Sequence, residues 1–571
     1  MTETRRQRFE ILRSQLDFER STFIPVWRSI ADYILPYRPQ FSISDTNKGD
    51  RRNSKIIDCT ATLAARTTRS GMMGGITSPA RPWFRLTTSD PGLAEYVPVK
   101  DWLHIVTQRM QAVFLRSNLY QTLPLIYGDI SVFGTAAMGI EEDFQDGIRC
   151  YPLPLGSYMI AANDRYQVDV FMREFRLTVR QCVRKFGGNN PDWSKFSPYI
   201  KALYDTHRLE AWVDICHVIQ PNADYDPQKL TSKRYESVYY EKGTSSGGTG
   251  GLDVSATLDE RYLRDAGYDF FPVLCPRWEV TGEGVYGTDY PGMTAIGDAK
   301  ALQTMHKRKA QAVEKMVNPP MKGPVSLEQK KASILPGDIT YLDEREGMKG
   351  FSPVHELKFP LTELREDINE HQFRIRRAFF EDLFLMLANT DRREITAREI
   401  DERHEEKLLA LGPVLEQLNQ DLLDPLIDIT FSIMARQGLI PDAPEELQGL
   451  PLKVEYVSIM HQAQKAAGLA GIERTAGFVG QVAQFKPDVL DKIDADQLID
   501  EHSLITGIPP RIIVSDERVA EIRQARAQQM QMREQMAALQ QGAQTAKDLS
   551  GAKLDGDNAL SALIQQAGAG Q

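Results

Sequence analysis

The sequence predicts an α+β fold of several domains, and three observations lead there. Long stretches with apolar residues at helical spacing occupy both ends of the chain. A block of short strand-like runs begins after Gly139. From about Thr294 to Ala388 a helix, a small Gly/Pro-punctuated β segment and a second helix follow in order. At 571 residues the chain exceeds what a single core organises, so three or four domains of roughly 150 residues are expected.

Taken in order, Phe9, Leu12 and Leu16, then Val26, Trp27, Ile30 and Ile34, define two helical patterns joined near Ser21–Thr22 and ended by Pro36 and Pro39. Further helices are expected over about Ile56–Met73, closed by Gly74–Gly75, over Val99–Leu115 and over Leu119–Ala137. Asp146–Gly147 between two short runs is a hairpin signal, and strand-like runs recur at Val168–Leu177, Glu210–Gln220, Tyr235–Glu241 and Phe271–Val280. KGTSSGGTGG reads as a flexible linker.

The helix Thr294–Val317 must stop at Asn318, because Pro319–Pro320 lacks the amide protons and restricts the residue before it. ITYL, Ile339–Leu342, is strand-like. Leu361, Leu364, Ile368, Ile375, Phe379, Leu383 and Met386 make one apolar stripe on a second helix to Ala388. ANTDRRE, Ala388–Glu394, is a tight loop. Thr396 and Glu399 form a capping-box pattern opening a helix to about Gln437, with kinks expected at Pro413 and Pro425. Beyond Met460 the pattern is helical again. Ser515–Asp516–Glu517 supplies a cap for a Gln/Met/Ala-rich helix whose thin apolar stripe is marginal alone and favours packing beside copies of itself.

Hydrophobic residues at 42% and charged residues at 26% are ordinary for a soluble globular protein, and a net charge of −10 excludes a chain that is basic throughout and grips nucleic acid over its whole surface. Five cysteines without C-x-x-C spacing suggest neither a disulfide framework nor zinc, and point to a reducing cytosol. The N-terminus has no signal-peptide core, and no apolar run approaches the ~18 residues of a membrane span.

The motifs that suggest chemistry read better as structure. GEGVYG, Gly282–Gly287, matches G-x-G-x-x-G, but Pro291 and Gly292 intervene before the helix, so a turn into that helix is expected instead of a dinucleotide site. GTSSG, Gly243–Gly247, lies in the linker without the strand and helix of a nucleophile elbow. No phosphate-cradling G-x-x-x-x-G-K-[ST] occurs. His404 with Glu405–Glu406 reads as a solvated helix face, and Glu141, Glu142 and Asp143 as the flank of a hairpin. Lys307, Arg308 and Lys309 fill one helical turn, and Arg374, Arg376 and Arg377 form a second cluster. Both read as solvated faces balanced by Glu314, Glu363, Glu366, Asp367 and Glu370, or as groups set near a polyanion.

The order of several segments is recognisable: FIPVWRSIADYILP (Phe23–Pro36), GGITSPARPWFRL (Gly74–Leu86), LRSNLYQTLPLIYGDISVFGTAAM (Leu115–Met138) and VYGTDYPGMTAIGDAKALQ (Val285–Gln303), then NPPM (Asn318–Met321), LPGDITYL (Leu335–Leu342), FFEDLF (Phe379–Phe384), ITAREIDERHEEKLLALGPVLEQL (Ile395–Leu418) and LIPDAPEEL (Leu439–Leu447). In this order, from about Arg5 to Gln464, the chain resembles the portal proteins, or head-to-tail connectors, of short-tailed bacteriophages.

The resemblance implies a portal fold and a ring of usually twelve copies at one capsid vertex, through which double-stranded DNA is packaged and ejected. By the same resemblance residues 1–288 make a mixed α/β wing carrying the linker 242–251, residues 289–317 the first stem helix, and 318–360 a small α/β clip. Residues 361–388 make the second stem helix, 389–395 the tunnel loop, 396–459 a long kinked wing helix with a following strand, and 460–571 a helical crown able to extend into a barrel. Expected partners are other copies of the chain, DNA, terminase, a head-tail adaptor, and the major capsid and scaffolding proteins, with no membrane.

No cofactor, metal or catalytic residue is implied. The tunnel-loop residues Asn389, Thr390, Asp391, Arg392 and Arg393 would meet DNA, the stem cations would face tunnel, neighbour or shell, and Lys330, Lys331, Asp343, Glu344 and Arg345 would dock partners on the clip. Twelve copies at −10 each carry roughly −120, a field that lets DNA slide instead of holding it. The expected setting is the virion's portal vertex, after assembly in the host cytoplasm. The competing readings are an oligomeric nucleic-acid enzyme and an internal scaffold or ejection protein.

Overall fold

The computed structural model describes residues 4–43, 49, 52–90, 92–93, 96–229, 231–242, 261–322, 352–353, 361–389, 411–447, 452–457, 475–483, 485–486, 489, 494–499, 514 and 516–551. The chain divides into two units, Met1–Ala94 with Pro98–Ala467, and Glu95–Val97 with Gly468–Gln571. The architecture is α+β, as the sequence predicts. No helix among the described residues is long and apolar enough to cross a membrane.

Helix α1, Arg5–Tyr33, opens on a capping box between Thr4 and Gln7 and runs through Pro25 without the break expected near Ser21–Thr22. Helices α2 (Thr60–Ile76), α3 (Val97–Arg116) and α4 (Leu119–Phe133) build the main core with it, and strand β1 (Phe84–Thr88) lies between α2 and α3 in sequence. Helix α2 extends through Gly74–Gly75 to Ile76, and α4 stops earlier than expected, at Gly134 in the left-handed region with φ 78°.

The hairpin at Asp146–Gly147 forms between β2 (Ala137–Asp143) and β3 (Gly147–Leu153), with Gly147 at φ 87°. Strands β4 (Tyr158–Ala162), β5 (Val168–Thr178), β6 (Trp212–Pro221), β7 (Tyr235–Glu241) and β8 (Arg264–Tyr268) form one antiparallel sheet in sequence order. Its two faces alternate with period two. Cys216 and Val218 pack with Phe9 and Leu16 of α1, while Val213 and Ile215 pack under α5 (Val179–Gly187) and α6 (Pro198–Asp205). The sheet is therefore covered on both sides.

The strand-like run Phe271–Val280 yields only β9, Val273–Leu274, which pairs with β2. Pro272 and Pro276 bracket it and supply no amide to a ladder. The linker, including GTSSG, lies outside the described residues.

Helix α7, Pro291–Val317, begins three residues before its predicted start, because Pro291 suits the first helical turn. It ends at Asn318 ahead of Pro319–Pro320, as expected. Strands β10 (Met321–Lys322) and β11 (Ser352–Pro353) pair antiparallel. ITYL, Lys330, Lys331, Asp343, Glu344 and Arg345 lie outside the described residues.

The second predicted helix is two helices, α8 (Leu361–Ala378) and α9 (Glu381–Asn389), separated by Phe380 at φ 54°. Periodicity alone runs straight across this break, because Ile375, Phe379 and Leu383 keep their helical spacing. The break is fixed from outside: Thr68 Oγ1 of α2 donates to the Phe379 carbonyl at 2.5 Å. In the later helix, Thr396, Glu399 and His404 lie outside the described residues. Helix α10 (Gly412–Leu418) carries Pro413 in its first turn, and Pro425 opens α11 (Asp424–Arg436) after a π turn over Asn419–Leu423. The wider turn lets Asp424 N–H reach the Asn419 carbonyl, so the helical backbone is irregular immediately ahead of Pro425. Strand β12, Leu452–Tyr456, follows and pairs with β1. In the second unit α12 spans Asp516–Gly551, and its described side chains are almost all exposed.

Two glycines on α7 predict opposite outcomes. A Cβ on Gly292 would stand 2.0 Å from the Val132 carbonyl oxygen, whereas one on Gly297 would meet nothing within 4 Å. Gly292→Ala should cost about 3 kcal/mol or more. Gly297→Ala should stabilise by about 0.5–1 kcal/mol through helix propensity, both read by chemical denaturation.

A pH dependence follows from the buried pair Arg38–Asp129, held by Arg38 Nε at 2.9 and 2.8 Å from the two carboxylate oxygens. Burial pushes the Asp129 carboxyl up to about 6, against the pull of Arg38 and Arg69. The folded state then holds a proton that the unfolded chain releases near 3.8, so stability is greatest below about 4 and falls as pH rises to about 6. The Asp129→Asn variant should flatten this part of the stability–pH curve.

Candidate functional site

The segment that leads into α7 explains GEGVYG. Gly282 turns at φ 88°, and Gly287 lies so close to Gly134 that a Cβ would sit 2.0 Å from its carbonyl oxygen. Gly287 N–H donates to Thr135 Oγ1 at 2.8 Å, and Trp278 N–H to the Gly134 carbonyl at 2.9 Å. The glycines serve backbone contact and turning, and the motif is the turn into α7 that the sequence suggests.

Helix α7 buries a stripe made of two alanines, a leucine and a glutamine: Ala295, Ala299, Leu302 and Gln303. Helix α8 answers with Ile368 and Ile375, one buried residue every seven. Asp298 of α7 meets His371 Nδ1 at 2.7 Å and Arg374 Nη1 at 3.9 Å, while Met321 beyond the α7 C-terminus pairs with Pro353 ahead of α8. The two helices are therefore antiparallel, and at 27 residues α7 is roughly 40 Å long.

What seats this pair on the core is a polar junction around Asp58. Gln303, 5% exposed, accepts hydrogen bonds at Oε1 from the Ile57 and Asp58 amides at 2.6 and 2.7 Å, and its Nε2 donates to the Asp58 carbonyl at 2.9 Å. The Asp58 carboxylate accepts from the Thr60 amide at 2.9 Å and from Gln372 Nε2 of α8 at 3.0 Å, and His306 Nε2 lies 3.3 Å away. One acidic side chain thus touches α2, α7 and α8. Below it, the Phe384 ring of α9 fills the space where a Cβ on Gly71 of α2 would stand, at 2.3 Å.

The predicted cations decorate this frame and do not converge. Lys307 and Arg308 are exposed and Lys309 is half-buried; among the described residues none of the three has a carboxylate within 4.0 Å. Arg374 pairs with Glu370, and Arg376 Nε lies 3.6 Å from Glu381, while Arg377 is exposed. With Asp298 beside Arg374, the first cluster stands about 15 Å further along the α7 axis. Of the predicted balancing acids, Glu370 is the one that forms an ion pair among the described residues. Asn389 is the last residue of α9, and Thr390, Asp391, Arg392 and Arg393 lie outside the described residues.

Glu142 and Asp143 flank the hairpin as expected. Asp143 Oδ1 accepts the Gln145 amide at 2.8 Å, and Glu142 takes Gln437 Nε2 at 3.1 Å. Among the described residues no group of three His, Cys, Asp or Glu could hold a metal ion.

Sequence reasoning missed Asp58, Gln303, His306, His371 and Gln372. One signal was present: Gln303 stands one turn after Ala299 in the buried stripe, where an apolar residue is the default. Replacing Gln303 by Leu strands the Ile57 and Asp58 amides and should lower unfolding free energy by about 2 kcal/mol or more. Gln303→Glu keeps the acceptor for the two amides but sets a second oxygen against the Asp58 carbonyl, so it should also lose stability. Equal stability of the Leu variant and the parent in urea titrations would show the junction to be dispensable.

A family model described as bacteriophage head to tail connecting protein matches residues 6–514. The chain is 47% identical over 573 residues to the portal protein of Salmonella phage epsilon15, covering 100% of both chains. It is 42% identical over 548 residues to the probable portal protein of Bordetella phage BPP-1, covering 96% of this chain and 95% of the relative. By matches of this extent the chain belongs to the bacteriophage head-to-tail connecting protein family.

Proposed function

We propose that the chain is the repeating subunit of a ring of usually twelve copies at one capsid vertex of a short-tailed phage. In this reading the ring is the channel for genome packaging and ejection, and terminase, then adaptor or tail proteins, dock on its protruding end. What carries the reading is the full-length relation to two portal proteins. Members of this family are structural connectors, and nothing among the described residues favours an enzymatic role over that one.

The antiparallel pair α7/α8 supports assignment as the stem. Each stem in a closed ring must present two different faces to its neighbours, since a rotational contact is heterologous. Exposed Val313, Met316 and Phe373 on the pair are apolar side chains that a neighbouring copy would cover. Residues 318–360, which include β10 and β11, would be the clip, and 389–395 the tunnel loop. The crown assignment for 460–571 draws support from α12, whose Met536 and Leu539 are 68% and 72% exposed in the single chain and would be buried beside copies of themselves.

Electrostatics fit a conduit better than a clamp. Each phosphate neutralised by a cation adds salt-dependent affinity, so a channel passing DNA gains from few and transient contacts. We assign those contacts to Arg392 and Arg393 and to one or two of the stem cations.

Negative-stain images of the purified full chain should show rings with a central hole; a monomer at every concentration would sink the ring reading. Replacing both Arg392 and Arg393 by Ala should leave rings intact and change DNA packaging or retention. Unaltered packaging and retention would remove the loop arginines from the channel.

A further inference from the structure

A cleft of about 220 Å³ separates the three-stranded sheet β3-β2-β9 from the five-stranded sheet, with Glu141 and Tyr151 on one side and Arg173, His217 and Tyr268 on the other. Lys185 of α5 reaches it from the rim. Strand register explains the convergence. Arg173 faces His217, His217 faces Tyr239, and Tyr239 faces Arg264, so one cross-strand row on one sheet face carries two arginines and an imidazole. Lys185 Nζ adds a third cation 5.5 Å from the Tyr239 ring.

This cluster is undercompensated. Among the described residues no carboxylate lies within 4.0 Å of the charged nitrogens of Arg173, Lys185 or Arg264. Glu141, across the cleft, acts on Lys185 only through space. Two buried nitrogens also lack a hydrogen-bond partner among the described residues, Arg173 Nε and His217 Nδ1, the latter in an imidazole 4% exposed. Buried polar groups are nearly always paired, so these two nitrogens in the wall of the cleft call for an acceptor, and although the Arg173 guanidinium also lies 4.5 Å over the Phe175 ring, the cations around them favour an acceptor that carries negative charge. The imidazole is held in place by stacking on Tyr239, with ring centroids 3.7 Å apart, and by Ser237 Oγ at 2.9 Å from Nε2. The tautomer protonated at Nδ1 leaves Nε2 to accept from Ser237. Burial, together with Arg173, Lys185 and Arg264, pushes the ring well below its usual 6.5, so it serves as a neutral donor.

We propose that this cleft binds a phosphate-class oxyanion, free or as a small phosphomonoester, with Arg173 and Lys185 donating charge-assisted hydrogen bonds and His217 Nδ1–H a neutral one. Glu141 gives the site its selectivity. A protonated phosphate oxygen can donate to that carboxylate, whereas sulfate has no proton at neutral pH and meets repulsion. The site lies in the α+β body, apart from the helix pair and its cations, and stands independently of the channel reading.

Titration calorimetry and thermal shift on the full chain at pH 7, with inorganic phosphate and sulfate at matched ionic strength, test this. Phosphate should bind saturably and raise the melting temperature, and sulfate should bind more weakly. Lys185→Gln removes a cation from the cluster at an exposed position, so it should leave the unliganded chain folded and weaken phosphate about tenfold. Glu141→Gln should narrow the gap between phosphate and sulfate. Adenosine monophosphate binding that Lys185→Gln weakens equally would assign a phosphomonoester; phosphate binding alone would assign the free ion. Identical behaviour in phosphate, sulfate and chloride, or a phosphate response untouched by Lys185→Gln, overturns the proposal.

Discussion

The fold turns on close backbone approach where α7 leaves the core. Gly287 stands against Gly134, and Gly292 against Val132, at separations no Cβ could share. Because those glycines admit direct contact, a helix roughly 40 Å long is rooted in the centre of the main hydrophobic cluster through Ala295, Ala299 and Leu302. A side chain at either glycine would lift the helix base, and every residue further along the lever would move more than the base does.

Around that root, polar groups fix orientation and apolar groups supply most of the burial. Asp58 and Gln303 set the rotation of α7 relative to α2 and α8, since their hydrogen bonds are directional. Ile368, Ile375 and Phe384 close the interface without choosing an angle. The buried pair Arg277–Asp421 does for the later helix what Asp58 does for α7. Arg277, 1% exposed, reaches both Asp421 oxygens at 2.9 and 3.0 Å and also the Tyr166 carbonyl at 2.7 Å. Asp421 lies inside the π turn that accommodates Pro425, so the irregular backbone and the buried charge hold each other in place.

How much of this was legible depends on whether the cause is local. The helix stop at Asn318, the hairpin at Gly147 and the structural role of GEGVYG rest on proline, glycine and short-range periodicity, and the sequence shows them. The break at Phe380 is invisible because the apolar spacing of Ile375, Phe379 and Leu383 continues across it and its cause, Thr68, is 311 residues away. The short strand β1 is similarly obscure, since its ladder is completed far along the chain by β12, the strand that the family resemblance placed after the long helix. For the cations of α7 and α8, residue type was readable but surroundings were not. The Arg374–Glu370 pair is an i,i+4 contact that the sequence offers, whereas pairing of Arg376 with Glu381 crosses the break at Phe380 and appears only once the helices are placed.

The pairing of β10 with β11 has a consequence for variation among phages. Met321 and Lys322 are held against Pro353 and Ser352, so the two ends of the intervening segment are already together before that segment adopts any arrangement. The entropy of closing it is met at its base, and lengthening it adds only a logarithmic increment. A change of length between Lys322 and Ser352 is therefore expected to leave the register of the helix pair beneath it the same.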